Sequence, residues 1–138
     1  MHTAAHNGHL GVVRVLLRAR DNPNVLSTDG SGSSPLILAS QTGHLAVVQA
    51  LLAAAANVNH STTRGATSLI LAAMNGHIEV VRALLAANAD PRFVSSHGVT
   101  ALVAAKAKNY PAITAMLEAR LAELAAAALA PAAGSGPV

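Results

Sequence analysis

The 138-residue sequence predicts an all-α fold, a solenoid of helix-turn-helix units joined by short β-hairpin connectors. Three observations predict it. First, a glycine-histidine pair followed by two adjacent valines and two adjacent leucines occurs three times, at Gly8-His9, Gly43-His44 and Gly76-His77. The steps between the histidines are 35 and then 33 residues, an interval typical of stacked repeats. Second, a hydroxyl residue opening an apolar run stands nine residues before Gly43, Gly76 and Asn109, at Ser34, Thr67 and Thr100. Third, 52% of residues are apolar, yet there is one Phe, one Tyr and no Trp. Ala, Leu and Val must therefore supply the packing, which favours helices that approach closely.

Each unit opens with a short helix. Ser34, Thr67 and Thr100 hold the N-cap position, where a side-chain oxygen accepts from the free amides of the first turn. Pro35 then occupies the first helical position, where a missing N–H costs little. Gly43 and Gly76 supply the left-handed residue that ends the helix, and Asn109 takes that place in the last unit. A second helix follows. Ile78, Val81, Leu84 and Leu85 fall on one amphipathic stripe, repeated by Leu45, Val48, Leu51 and Leu52 and by Leu10, Val13, Leu16 and Leu17. Turn-rich connectors come next, such as Ala87 to Arg92, aligned with Ala54 to Asn59 and Ala19 to Asn24. Gly-closed turns at Ser61 to Gly65 and Ser95 to Gly98, with short flanking extended segments, read as projecting hairpins.

Thr67-Ser68-Leu69-Ile70-Leu71-Ala72 and its two counterparts follow a TPLH-x-A-like pattern, and each second helix a GH-x-x-VV-x-x-L-L pattern. Together they resemble the ankyrin repeat over residues 1 to about 120. The resemblance implies a repeat domain over 1–130: a partial repeat (1–24), two full repeats (25–59 and 60–92) and a capping repeat with an extended last helix (93–130). That helix should run towards Ala130 and stop at Pro131, leaving 131–138 as a disordered tail.

Departures from the pattern carry information. Met1 and His2 stand at the Leu and His of TPLH, so the first repeat lacks its hairpin and no polar cap precedes it. Repeat two carries two extra residues between Val25 and Ser33. Ile37, Ile70 and Val103 replace the family's histidine, exchanging its hydrogen bonds for apolar packing. Lys106, Thr114 and Glu118 place polar groups where a fifth repeat would dock, as a terminal cap requires.

Catalysis finds no constellation. There is no cysteine, no G-x-S-x-G and no phosphate loop, and the six acidic residues are dispersed. His2, His6 and His9 share a helical spacing that could face a metal, but His2 and His9 occupy repeat slots and no carboxylate lies nearby. His9, His44 and His77 should form a structural row about 10 Å apart, too far to share a zinc whose bonds are about 2 Å. No cofactor and no metal are expected. Nine Lys/Arg against six Asp/Glu give a net charge of +3, scattered and without the aromatic interleaving that nucleic acid calls for. No apolar run spans a bilayer and no signal peptide is visible, so neither nucleic acid nor membrane is expected as a partner. The absence of cysteine fits a reducing, intracellular and cytoplasmic location.

The expected function is a non-catalytic protein–protein interaction module, binding its partner through hairpin tips and the concave face of the first helices. The resemblance assigns the hairpin positions to Gly30, Ser31 and Ser33, to Thr63, Arg64 and Ala66, and to Ser96, His97 and Val99. On the first helices it assigns Gln41 and Thr42, Met74 and Asn75, and Lys108 after Ala107, with His6 and Asn7 in the partial repeat. Arg64, Met74 and His97 are the expected anchors, because Arg and aromatics are enriched at binding centres and Met adapts to irregular surfaces. Phe93 is either a further anchor or, the preferred reading, packs on the hairpin base, and Tyr110 is expected to substitute for the turn histidine. A monomer is expected, with self-association open only through the uncapped N-terminal end. The alternative is a fragment of a larger ankyrin-bearing enzyme, channel or signalling protein in which the array recruits or regulates.

Overall fold

Local chemistry sets the helix starts. In the computed structural model, which describes residues 1–129, Ser34 Oγ accepts from Ile37 N at 3.3 Å, Thr67 Oγ1 from Ile70 N at 3.2 Å and Thr100 Oγ1 from Val103 N at 3.1 Å. These caps begin α3 (Pro35–Thr42), α5 (Ser68–Met74) and α7 (Ala101–Ala107). The first helix, α1 (His2–His6), is capped by Met1 with no side-chain bond. Left-handed residues turn the chain after each: Gly43 has φ +80°, and Asn109, at φ +58°, takes the conformation as its short polar side chain allows. The second helices follow as α2 (Leu10–Arg18), α4 (Leu45–Ala53), α6 (Ile78–Ala86) and α8 (Pro111–Leu129).

The helices form two layers. In one, α1 packs on α3, α3 on α5 and α5 on α7; in the other, α2, α4, α6 and α8 follow in the same order. Ala39, Ala72 and Ala105 are fully buried in the first layer, which lets these helices approach without aromatic spacers. Leu51, Leu84 and Leu117 are fully buried in the second layer. The expected stripe is present, with Val48, Val81 and Leu84 sealed and Ile78 and Leu85 half-buried. Val47, Val80 and Ile113 are buried as well, although they stand outside that stripe. At the slots where the family carries histidine, Ile37 and Ile70 are buried, whereas Val103 is 49% exposed, so the expected apolar packing does not extend to α7.

The β-hairpin connectors do not form, and the fold is an all-α helical repeat stack. Among the described residues there is no strand, only an isolated antiparallel bridge between Ser61 and Thr67. Each connector is a turn closed by backbone bonds, all within 2.9 Å: Ser27 N to Ser33 O in the first, Thr62 N to Ala66 O with Gly65 N to Thr62 O in the second, and Ser95 N to Val99 O with Gly98 N to Ser95 O in the third. Side chains occupy the donors that a ladder would need. Thr62 Oγ1 accepts from Arg64 N and Ala66 N, Ser95 Oγ from Val99 N, and Asp29 Oδ1 from Ser31 N. Such local bonds compete with strand pairing, and these closing backbone bonds stay within each turn. The turns nevertheless stack on one another, through Thr63 N to Ser31 O at 3.0 Å and Ser96 N to Arg64 O at 2.8 Å.

On the opposite connectors, asparagines link successive repeats. Asn57 N donates to Asn24 Oδ1 at 2.6 Å, and Asp90 N donates to Asn59 Oδ1 at 2.8 Å. Between α7 and α8, Lys106 Nζ and Glu118 Oε1 lie 3.3 Å apart. The helix α8 extends 19 residues to Leu129, whereas α2, α4 and α6 have nine each. The expected stop at Pro131 and the tail beyond it lie outside the described residues.

Candidate functional site

The stacked turns and the first-layer helices enclose a groove of about 580 Å³ between repeats two and three. Its floor is Ile37 and Gln41 from α3 and Leu71 from α5, and its walls are the turns around residues 29–33 and 62–66. The wall of repeat two is held rigidly for an exposed loop. Asp29 Oδ1 accepts from Ser27 Oγ at 2.7 Å, from Ser31 Oγ at 2.7 Å and from Ser31 N at 2.9 Å. These bonds, the Ser31 hydroxyl foremost, hold the Asp29 carboxyl down from 3.8 to about 2, so it is ionised throughout the physiological range. Across the groove, Thr63 Oγ1 donates to Ser31 O at 3.2 Å, and His60 Nε2 pairs with Gly32 O at 2.8 Å.

Seven of the sequence-derived positions meet here. Gly30, Ser31, Ser33 and Gln41 line one side, with Thr63, Arg64 and Ala66 on the other. Ser33 is only 9% exposed and braces the wall rather than offering a contact. The remaining positions lie elsewhere. Thr42 Oγ1 bonds back to Leu38 O at 2.8 Å and Asn75 Nδ2 to Leu71 O at 2.9 Å, so both side chains are partly engaged by their own helices. Met74 and Val99 are half-buried against the core. Ser96 and His97 sit on the next turn, and Lys108 is exposed at the end of α7. Since no hairpins exist, binding by hairpin tips is not supported; the tip slots are positions on stacked turns. Phe93, expected to pack, is 37% exposed and stands outside the core.

Sequence reasoning missed Asp29, Thr62, Ile37 and Leu71. Asp29 belongs to the two-residue insertion, whose acidic residue beside Gly30 was the available signal. The apolar floor resists such reading, because Leu71 is a first-helix residue like any other until the groove forms above it.

Charge is distributed unevenly. Four exposed ion pairs occur among the described residues: Arg82–Glu79, Arg92–Asp90, Lys106–Glu118 and Arg120–Glu123. The Arg92 guanidinium bonded to Asp90 lowers that carboxyl below its ordinary value, and Asp90 raises Arg92 in return. Outside these pairs stand Arg14, Arg18, Arg20, Arg64 and Lys108 against Asp21 and Asp29, so the net charge of +3 resides on these seven. Arg64 is thus an exposed guanidinium on the groove wall with no carboxylate partner.

Two members of the histidine row, His44 and His77, are structural. The His77 ring lies over Gly43, where a β-carbon would stand 2.5 Å from its Nδ1, and its Nε2 pairs with Gln41 O at 3.0 Å. His44 covers Gly8 in the same way, and the Tyr110 ring covers Gly76. Among the described residues, no group of three or more His, Cys, Asp or Glu side chains could hold a metal ion.

A family model described as "Ankyrin repeats (3 copies)" matches residues 1–62 and 54–126. The chain belongs to the ankyrin repeat family. No curated protein matches it. The match covers most of the chain and agrees with its helical repeat architecture. No described helix is long and apolar enough to cross a membrane.

Proposed function

We propose that this ankyrin-repeat chain is a non-catalytic protein-binding module that seats its partner in the groove over α3 and α5. The observation that carries this reading is the pairing of a preformed groove with two charges at its walls, Asp29 and Arg64, neither neutralised by an ion pair. A groove already braced by its own hydrogen bonds loses little entropy on binding, so contact energy converts efficiently into affinity. Arg64 is the anchor, with Thr63, Ser31 and Gln41 offering hydrogen-bonding groups around it. Met74, Asn75, Ser96, His97 and Lys108 are further contact candidates outside the groove in this reading. The repeats divide at 1–24, 25–59, 60–92 and 93–130 in this reading. The chain acts as a monomer in the cytoplasm, a location that the lack of cysteine supports.

The test is affinity capture with the whole chain, comparing wild type with Arg64→Glu and with Arg82→Glu. Arg82 is also exposed but lies on α6, outside the groove lining. Partners lost with Arg64→Glu and retained with Arg82→Glu support the groove. Equal retention by both variants would remove Arg64 and this site from the reading.

A further inference from the structure

The groove over α3 and α5 carries one charge of each sign, and the two do not satisfy each other. Asp29 precedes Gly30 and Arg64 follows Thr63, and the Thr63 hydroxyl donates to Gly30 O at 3.3 Å, so the charges flank a contact between the two turns. Even so, no ion pair joins them. The bonds that fix Asp29 all fall on Oδ1, leaving Oδ2 to accept. Among the described residues, Arg64 enters hydrogen bonds only through its backbone, and so does Gln41, whose carbonyl pairs with His77. The Ser31 and Thr63 hydroxyls already donate, to Asp29 Oδ1 and Ser31 O. The groove therefore keeps three unspent polar groups: a carboxylate oxygen, a guanidinium and a side-chain amide, above the half-buried Leu71.

Those groups define the chemistry of what fits. Asp29 and Arg64 are exposed, and an ion pair made in water contributes little, so a small zwitterion bridging them would gain little affinity. A stretch of chain that also covers the floor adds apolar burial to the two charge contacts. The Gln41 amide, which both donates and accepts, matches a peptide bond, but only one whose N–H and C=O are not already spent inside a helix. An extended segment meets all three conditions.

We propose that the groove takes an extended segment of a partner protein that carries a basic, an acidic and an apolar side chain within one short stretch. The basic group meets Asp29 Oδ2, the acidic group meets the Arg64 guanidinium, and the apolar side chain covers Leu71. The Gln41 amide bonds the backbone of the segment. This rests on the groove reading above and adds the composition of the partner.

The test selects a displayed library of random peptides, about nine residues or roughly 30 Å when extended, on the immobilised full chain. The selected peptides should carry all three side-chain types. For the tightest of them, fluorescence anisotropy should show binding to Arg64→Glu weakened at least about tenfold, a difference of about 1.4 kcal/mol. Exchanging the peptide's acidic residue for lysine should restore binding to that variant. Asp29→Asn keeps an oxygen for the Ser27 and Ser31 bonds but loses the charge. It should weaken the peptide about threefold and leave unchanged a twin that lacks the basic residue. Arg82→Glu should bind as wild type does, and all variants should keep the wild-type melting temperature. Peptides blocked by Gln41→Trp, an obstruction at an exposed lining position, yet indifferent to both charge changes would overturn this inference and leave the groove standing. Peptides that bind Gln41→Trp and Arg64→Glu as tightly as wild type would overturn the groove itself. An empty selection would overturn the inference, as would a dimer in sedimentation that Arg64→Glu converts to a monomer, since a second copy would then own the groove.

Discussion

Replacing Gly43 with alanine separates two forces that act at each inter-helix turn. Gly43 has φ +80°, and a β-carbon there would lie 2.5 Å from Nδ1 and 2.6 Å from Cε1 of His77. The imidazole cannot swing away freely, because its Nε2 is bonded to Gln41 O at 3.0 Å. Gly98 provides the control: its φ is +75°, but a β-carbon there meets nothing within 4 Å. A left-handed L-residue costs about 1–2 kcal/mol at either position. Overpacking against the ring adds about 1–3 kcal/mol at Gly43 alone. Urea unfolding followed by circular dichroism should therefore show Gly43→Ala destabilised by about 2–5 kcal/mol and Gly98→Ala by about 1–2 kcal/mol. Adding His77→Ala to Gly43→Ala removes the clash, so the double-mutant cycle should return a coupling of about 1–3 kcal/mol. Equal losses for the two alanines, or a coupling near zero, would refute the claim that each turn is keyed by a ring from the next repeat.

Ala55 holds φ +66° after α4, a conformation in which its β-carbon is strained. Ala55→Gly should raise stability by about 0.5–1 kcal/mol, the relief of strain exceeding the added freedom of the unfolded chain; a destabilised variant in the same urea assay would contradict this. Asp29 is depressed from 3.8 to about 2 by its Ser31 and Ser27 bonds, so its stabilisation of the loop is complete above 3.8 and is lost as pH falls from there through 2. An NMR titration of the Ser31 amide should show a midpoint near that lower value, and a midpoint at 3.8 would mean that the bonds do not form in solution.

Helix placement was legible because its causes are local. Ser34, Thr67 and Thr100 cap the turn that immediately follows them, and Gly43 and Asn109 reverse the chain through their own backbone conformations. The hairpins were misread for an equally physical reason. Thr62, Ser95 and Asp29 satisfy nearby amides with their side chains, and whether those bonds or a strand ladder prevail depends on how the turns stack. Val47 and Val80 escaped notice because a single helical stripe cannot show that a second-layer helix is buried on both sides. In the groove, Arg64 and Ser31 were found through their repeat slots, while Asp29 was hidden in the insertion and Leu71 among ordinary helix residues.

By itself, the sequence determined the repeat period, the order of the helices and their caps, and the family, since each follows from interactions within a few residues or from a pattern written three times. Only the tertiary structure decided the turn geometry, the groove between repeats two and three, and the sealing of Val47 and Val80. Those properties belong to surfaces meeting across about 33 residues of chain, where the same valine is core or surface according to whether a helix lies against it.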